Sequence, residues 1–235
     1  MEVSNAMRTT HPYLARLAHW LFAICVLVLA ASGLQIFRAF PSFSAKLPEP
    51  WEIPAPAALA LGGWLGGALA WHFTFAWLFA AAMAMYALDL ARGGWRRLSL
   101  SAADGRGIWP MARYYFFRGP APQASELYNP LQKAAYLLIT AVLFLALLTG
   151  AMLAAPVQLA PLVALAGGWQ AVRLGHFSCL LAFALFLPGH LVMVAWAGRA
   201  AMRTMLTGRT LTFPPHDGVA TMTGQPNAAT SGSPT

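Results

Sequence analysis

Apolar residues run along this chain in four long blocks, and the stretches between them hold almost all of its charge. The blocks lie near residues 13–37, 69–91, 131–155 and 171–197. Each is long enough for a helix to cross a bilayer core, which takes roughly 20 apolar residues. The second apolar stretch begins at Ala55, too early for a single span. Gly62-Gly63 and Gly66-Gly67, with Pro54 and Pro56 ahead of them, predict a loop or re-entrant piece before the helix. The pattern predicts an all-α fold, an integral membrane four-helix bundle.

Composition agrees. Of 235 residues, 59% are hydrophobic and only 9% are charged, against about 25% charged in an average soluble domain. So few charges could not cover the surface of a water-soluble fold. The net charge of +8 suggests nucleic acid only until the arginines are located: they lie between apolar runs, where cations meet lipid headgroups and set topology. No nucleic-acid partner is expected. Twelve of the fifteen Lys and Arg residues fall in the N-terminal segment, the 92–133 connection and the tail. By the positive-inside bias both termini are therefore cytoplasmic, as in a bacterial inner membrane protein. Arg8 and Arg16 before an apolar run imitate a cleavable signal, but the run continues to Phe37 and is read as a retained span. Residues 1–210 form the predicted four-span domain. Residues 211–235 form a cytoplasmic tail, whose small polar residues from Val219 onward predict disorder.

The two cysteines, Cys25 and Cys179, lie within apolar runs, and no Cys-x-x-Cys-His occurs. A disulfide framework, a zinc site and covalent haem attachment are thereby excluded.

Four of the six histidines fall in the spans: His19, His72, His176 and His190. Ionisable groups inside a membrane are costly and mark functional sites by default; one alone would read equally well as a hydrogen-bonded structural residue. Fourteen residues separate His176 from His190, which returns a helix to within roughly 40° of the same face about 21 Å further along. With the topology above, His72 lies at the outer depth of His176, and His19 at the inner depth of His190. A pair of imidazoles at one depth suits the two axial positions of an iron porphyrin, and a helix bundle can enclose the porphyrin's apolar faces. With both axial positions filled, electron transfer is the chemistry left.

Arg16 and Arg173 each precede a histidine by three residues, on one helix face. Each guanidinium either holds a haem propionate or snorkels to a lipid headgroup; the sequence favours neither. Gly33, Gly150 and Gly175 either give room to a porphyrin or serve plain helix packing, and packing is the better reading. Pro188-Gly189 predicts a local bend before His190, and Asp89 a surface ion pair with Arg92. His11 and His216 lie in the terminal segments and receive no role.

The stretches "RLAHWLFAICVLVLAASG", "AWHFTFAW", "YNPLQKAAYLLITAVLFLALLTG" and "HFSCLLAFALFLPGH" resemble the bacterial di-haem cytochrome b subunits. These anchor hydrogenases, formate dehydrogenase and thiosulfate reductase-like molybdenum enzymes. The resemblance runs from about residue 11 to 210, including the "MRTMLTGR" ending, and is nearest in flavour to the thiosulfate reductase cytochrome b group. It implies two b haems, an outer one on His72 and His176 and an inner one on His19 and His190. It also implies a quinone near the inner haem, with Asn129 at its pocket; by itself Asn129-Pro130 reads as a turn or cap. The family pattern is broken at Pro188-Gly189, where apolar residues are expected, which bears on how the His190 ring is aimed.

The expectation is a membrane-anchoring cytochrome subunit that passes electrons between quinone and a periplasmic redox partner, a molybdenum oxidoreductase. Two rivals stand beside it. One is a self-contained oxidoreductase of the same fold that takes electrons from superoxide or another small molecule. The other is a transporter using its histidines for protons or metal.

Overall fold

Where the apolar blocks stop, backbone chemistry stops the helices. We describe residues 13–40, 56–117 and 130–208 of a computed structural model. Helix α1 spans Tyr13–Ala39, with Pro12 and Pro41 flanking it in the sequence. The predicted loop piece before the second span is a short 3-10 turn, Ala57–Leu59, followed by Gly62 and Gly63 at φ 108° and 69°. These left-handed values suit glycine; at Gly62 a β-carbon would also collide with the backbone of Ala68. The turn is tied to α1 through Leu61 N–H on the Ala31 carbonyl at 3.0 Å. Helix α2 then runs Leu65–Asp89 and continues through a wide turn, Leu90–Gly94, into the short α3, Trp95–Leu98.

Helix α4, Ala102–Phe117, lies in the connection the sequence reading left without structure. Its Asp104 accepts from Ser101 N–H at 2.8 Å and from the Ser101 hydroxyl at 2.7 Å, while Ser101 Oγ accepts from Asp104 N–H at 3.1 Å. This reciprocal pattern has the logic of a capping box. The Asp104 carboxylate also accepts both its bonds to Lys133 Nζ at 3.1 Å, and both side chains are buried. Lys133 thus does more than bias topology: it pins α4 to the next span. Helix α5 starts on a proline and runs Pro130–Ala154, proline being well suited to a first helical turn. A short α6, Ala160–Leu165, leads to α7, Trp169–Thr207. Its 39 residues extend ~58 Å, well beyond a bilayer core. It is one unbroken helix through Pro188. Gly208 closes it in the left-handed conformation, its N–H on the Thr204 carbonyl, a common helix stop.

α1, α2, α5 and α7 are each long and apolar enough to cross a membrane, so this is an integral membrane protein. Large apolar side chains such as Trp77, Leu138 and Leu185 point outward, as lipid allows and water would not. Asp89, expected at the surface, is buried instead. The predicted tail, 211–235, and Asn129 lie outside the described residues.

The helices associate as two close pairs, α1 with α2 and α5 with α7, which touch one another more sparingly. Both pairs meet in a buried cluster of Cys25, Phe79, Met83 and Leu143, with Phe22, Val26, Leu29, Phe75, Leu147 and Phe183 against it. Tyr86 and Thr140 join α2 to α5 through their hydroxyls at 2.9 Å. A seven-residue step nearly repeats one helix face, and four such ladders run through the bundle. They are His19-Val26-Gly33, His72-Phe79-Tyr86, Tyr136-Leu143-Gly150 and His176-Phe183-His190. Their middle rungs all belong to the core cluster. Three of the four carry histidines at their ends; the α5 ladder, Tyr136-Leu143-Gly150, carries none.

Candidate functional site

The histidines project from both helix pairs onto the seam between them. His72 on α2 faces His176 on α7 with ring centroids 6.2 Å apart and planes at 73°. His19 on α1 faces His190 on α7 at 6.0 Å and 51°. Among the described residues no three or more His, Cys, Asp or Glu side chains gather in a metal-binding group; the imidazoles come in twos.

These separations can be tested against an iron porphyrin. With metal–imidazole bonds of about 2.0–2.1 Å on each side and roughly 1.1 Å from nitrogen to ring centre, two imidazoles on one iron would have centroids about 6.2–6.4 Å apart. The His72–His176 pair, at 6.2 Å, meets that spacing, and the His19–His190 pair, at 6.0 Å, falls just short of it.

Hydrogen bonding at the first pair settles which nitrogen is available. Ser32 Oγ, fully buried on α1, lies 2.7 Å from the Val28 carbonyl and 3.0 Å from His72 Nδ1. A carbonyl only accepts, so the serine proton points at Val28 and Nδ1–H donates to Ser32. On α5, Thr149 Oγ1 lies 2.6 Å from the Leu145 carbonyl and 3.0 Å from His176 Nδ1, so by the same reasoning Nδ1–H donates to Thr149. Both rings therefore carry the proton on Nδ1 and keep a free lone pair on Nε2, the form in which imidazole binds a metal.

The glycine beside each hydroxyl makes room. A β-carbon on Gly33 would stand 3.5 Å from His72 Cε1, and one on Gly150 only 3.2 Å from His176 Cε1. Gly33 and Gly150, read from sequence as helix-packing positions, instead admit the imidazole of the neighbouring helix. Gly175 keeps the packing role: a β-carbon there would meet Thr149 Cγ2 at 3.9 Å. The signal missed in the sequence is the repeated hydroxyl-glycine pair, Ser32-Gly33 and Thr149-Gly150, at matching places on the first and third spans.

Around the second pair the neighbours are aromatic. The Phe186 ring stacks on His190 at 5.4 Å and 18°, and Trp20 stands edge-on to His19 at 5.3 Å. Trp20 Nε1 donates to the Met205 carbonyl at 3.3 Å, tying α1 to the end of α7.

The two arginines differ. Arg16 is drawn in over Gly208, which can take it only for lack of a side chain: a β-carbon there would overlap the guanidinium. The C-terminus of α7 adds a favourable dipole. Among the described residues, Arg16 Nε and Nη1 are buried without a hydrogen-bond partner, a costly state for a cation that suits an anionic group beside the His19–His190 pair. Arg173 already donates from Nη2 to the Phe40 carbonyl, which leaves less of it for another anion.

Outside the spans, one carboxyl is perturbed: the bonds from Ser101, followed by Lys133, hold Asp104 below its ordinary pKa of 3.8.

Residues 10–208 match the family model described as prokaryotic cytochrome b561. A protein of Azospira oryzae, named as a protein-methionine-sulfoxide reductase subunit, YedZ1, is 35% identical over 203 residues, which cover 84% of this chain and 96% of its relative. No solved structure is significantly similar. A family that implies haem b, four apolar spans and paired imidazoles agree with one another, and the chain belongs to the prokaryotic cytochrome b561 family.

Proposed function

We propose that this cytochrome b561-type electron-transfer protein is the di-haem membrane subunit of a two-part oxidoreductase. It passes electrons between quinone on the cytoplasmic side and a redox partner on the periplasmic side. The observation that carries the reading is the pair of imidazole couples, 6.2 and 6.0 Å between ring centres, set on the seam between two helix pairs. His72 and His176 would hold the outer haem, and His19 and His190 the inner one. Arg16 would neutralise a propionate of the inner haem, and Arg173 would serve the outer one less fully. When bound, the haems would supply reversible one-electron transfer.

The chain's own residues do the rest. The rungs Val26, Phe79, Leu143 and Phe183 close the layer between the two histidine levels to water. Ser32 and Thr149 hold the outer imidazoles in the metal-binding tautomer. The Asp104–Lys133 pair seats α4 against α5, and we assign Asn129, from the family resemblance, to the quinone pocket. The positive-inside distribution of Lys and Arg supports cytoplasmic termini in a bacterial inner membrane.

The thiosulfate reductase flavour of the sequence resemblance gives way to the relative's name, so we assign a partner that reduces methionine sulfoxide, a molybdenum oxidoreductase. A quinol supplies two electrons and releases two protons. A sulfoxide takes up two electrons and two protons, yielding thioether and water, so the overall reaction balances.

The test is a dithionite-reduced minus oxidised spectrum of detergent-purified protein with haem counted per chain. Two b haems per chain, reducible by quinol, are expected. Absence of haem from cells well supplied with it would overturn the reading and favour a histidine-dependent transporter.

A further inference from the structure

The two helix pairs repeat one small device. Ser32-Gly33 on α1 presents a hydroxyl and an empty β-position to His72 of α2, and Thr149-Gly150 on α5 presents the same to His176 of α7. Local back-bonding alone does not account for it. Serine and threonine in membrane helices commonly donate to the carbonyl four residues earlier, and both do so here. Each then makes a second bond, across to the imidazole of the neighbouring helix, at 3.0 Å in both cases. Ser32 is fully buried and Thr149 is 6% exposed, so both hydroxyls are shielded from competing water. At the other ends of the same ladders the symmetry is gone. His19 on α1 corresponds by register to Tyr136 on α5, and Tyr86 on α2 to His190 on α7.

We propose that Ser32 and Thr149 are paired positioning residues that set the reduction potential of the outer haem alone. The inference rests on the two-haem reading above. Each hydroxyl accepts the Nδ1 proton of its histidine, which shifts electron density toward Nε2 and makes the imidazole a stronger donor to iron. A stronger donor favours the ferric over the ferrous state and so lowers the potential. No bond is made or broken: the proton stays on Nδ1, and only the balance of Fe(III) plus one electron against Fe(II) shifts. The same two bonds hold the rings against rotation, which keeps their planes near perpendicular at 73°. Near-perpendicular axial planes give a ferric low-spin haem a large, anisotropic gmax.

The test uses the purified, haem-loaded full chain in equilibrium redox titrations, with low-temperature EPR of the oxidised protein. Ser32→Ala and Thr149→Val each remove one acceptor; Ser32→Thr and Thr149→Ser keep it. His72→Ala and His176→Ala identify the outer haem as the signal that both lose. Expected is an upward shift of the outer midpoint and an altered outer gmax in Ser32→Ala and Thr149→Val. The inner midpoint and signal stay in place, and the conservative variants behave as the parent. Two haems with unmoved midpoints and signals in both deletion variants would overturn the proposal, as would equal shifts of both haems. If deletion costs the outer haem, its return in the hydroxyl-keeping variants supports positioning, and its absence there too refutes it. A parent chain without haem sinks the two-haem reading itself, a separate result.

Discussion

Gly33 and Gly150 give a graded test of the site, because the two positions differ in clearance by a measurable amount. A β-carbon at Gly33 meets His72 Cε1 at 3.5 Å, an ordinary contact, whereas one at Gly150 meets His176 Cε1 at 3.2 Å. Replacing a mid-helix glycine with alanine favours the helix by about 0.8–1.0 kcal/mol. At Gly33 nothing opposes that gain, so Gly33→Ala should be neutral or mildly stabilising. At Gly150 the imidazole must yield by a few tenths of an ångström, and overpacking of that kind costs about 1–3 kcal/mol. The net for Gly150→Ala is then between zero and about 2 kcal/mol unfavourable, or up to roughly 30-fold weaker retention of the outer haem. Valine adds two methyl groups toward the ring at either position and should empty the outer site. The assay is haem per chain by pyridine haemochrome, with a thermal release curve followed at the Soret band. If Gly33→Ala proved worse than Gly150→Ala, or Gly150→Val kept two haems with unaltered spectra, the placement of His176 against Gly150 would be wrong.

Three further outcomes are expected. His72→Ala and His176→Ala should remove the same haem and leave the other spectroscopically intact, while His19→Ala and His190→Ala remove the second; a crossed result would break the pairing. Arg16→Gln should loosen the inner haem more than Arg173→Gln loosens the outer. The reason is that Arg173 already serves the Phe40 carbonyl, whereas Arg16 Nε and Nη1 meet no acceptor among the described residues; haem retention on dilution in detergent compares them. The Asp104 staple should depend on pH. A carboxyl held below its ordinary 3.8 contributes stability that is fully present above that value and lost as pH falls through its lower folded value. Limited proteolysis of α4 should therefore accelerate on acidification below pH 3.8 in the parent, and be fast and pH-insensitive there in Asp104→Asn; identical parent and variant profiles would refute the coupling.

How much of this was legible beforehand depends on the range of the interaction. Four spans could be read because crossing a bilayer requires about 20 apolar residues in a row, a strictly local demand. The observed helices start or stop within a few residues of the expected blocks, except that α7 runs on to Thr207. The alignment of His72 with His176, and of His19 with His190, follows from helix rise and span direction, and the rings do meet at 6.2 and 6.0 Å. Helix α4 was missed because its polar face is satisfied from elsewhere. Asp104 looks like a lone carboxylate until Lys133, 29 residues on, is placed against it.

The sequence alone determined the membrane class, the number of long apolar helices and which histidines lie level with one another, since hydropathy and helical rise depend only on neighbours along the chain. Only the tertiary structure decided what stands beside each histidine. Ser32 and Thr149 are unremarkable hydroxyls in one dimension, and Gly33 and Gly150 are ordinary small residues. Their meaning comes from the neighbouring helix, which brings an imidazole nitrogen to 3.0 Å of each hydroxyl. The two arginines, identical in spacing from their histidines, part company for the same reason. Gly208 and the end of α7 enclose Arg16, while a backbone carbonyl at the far end of α1 engages Arg173. Hydrogen bonds and steric clearance act over a few ångströms in space, and distance along the chain does not encode them.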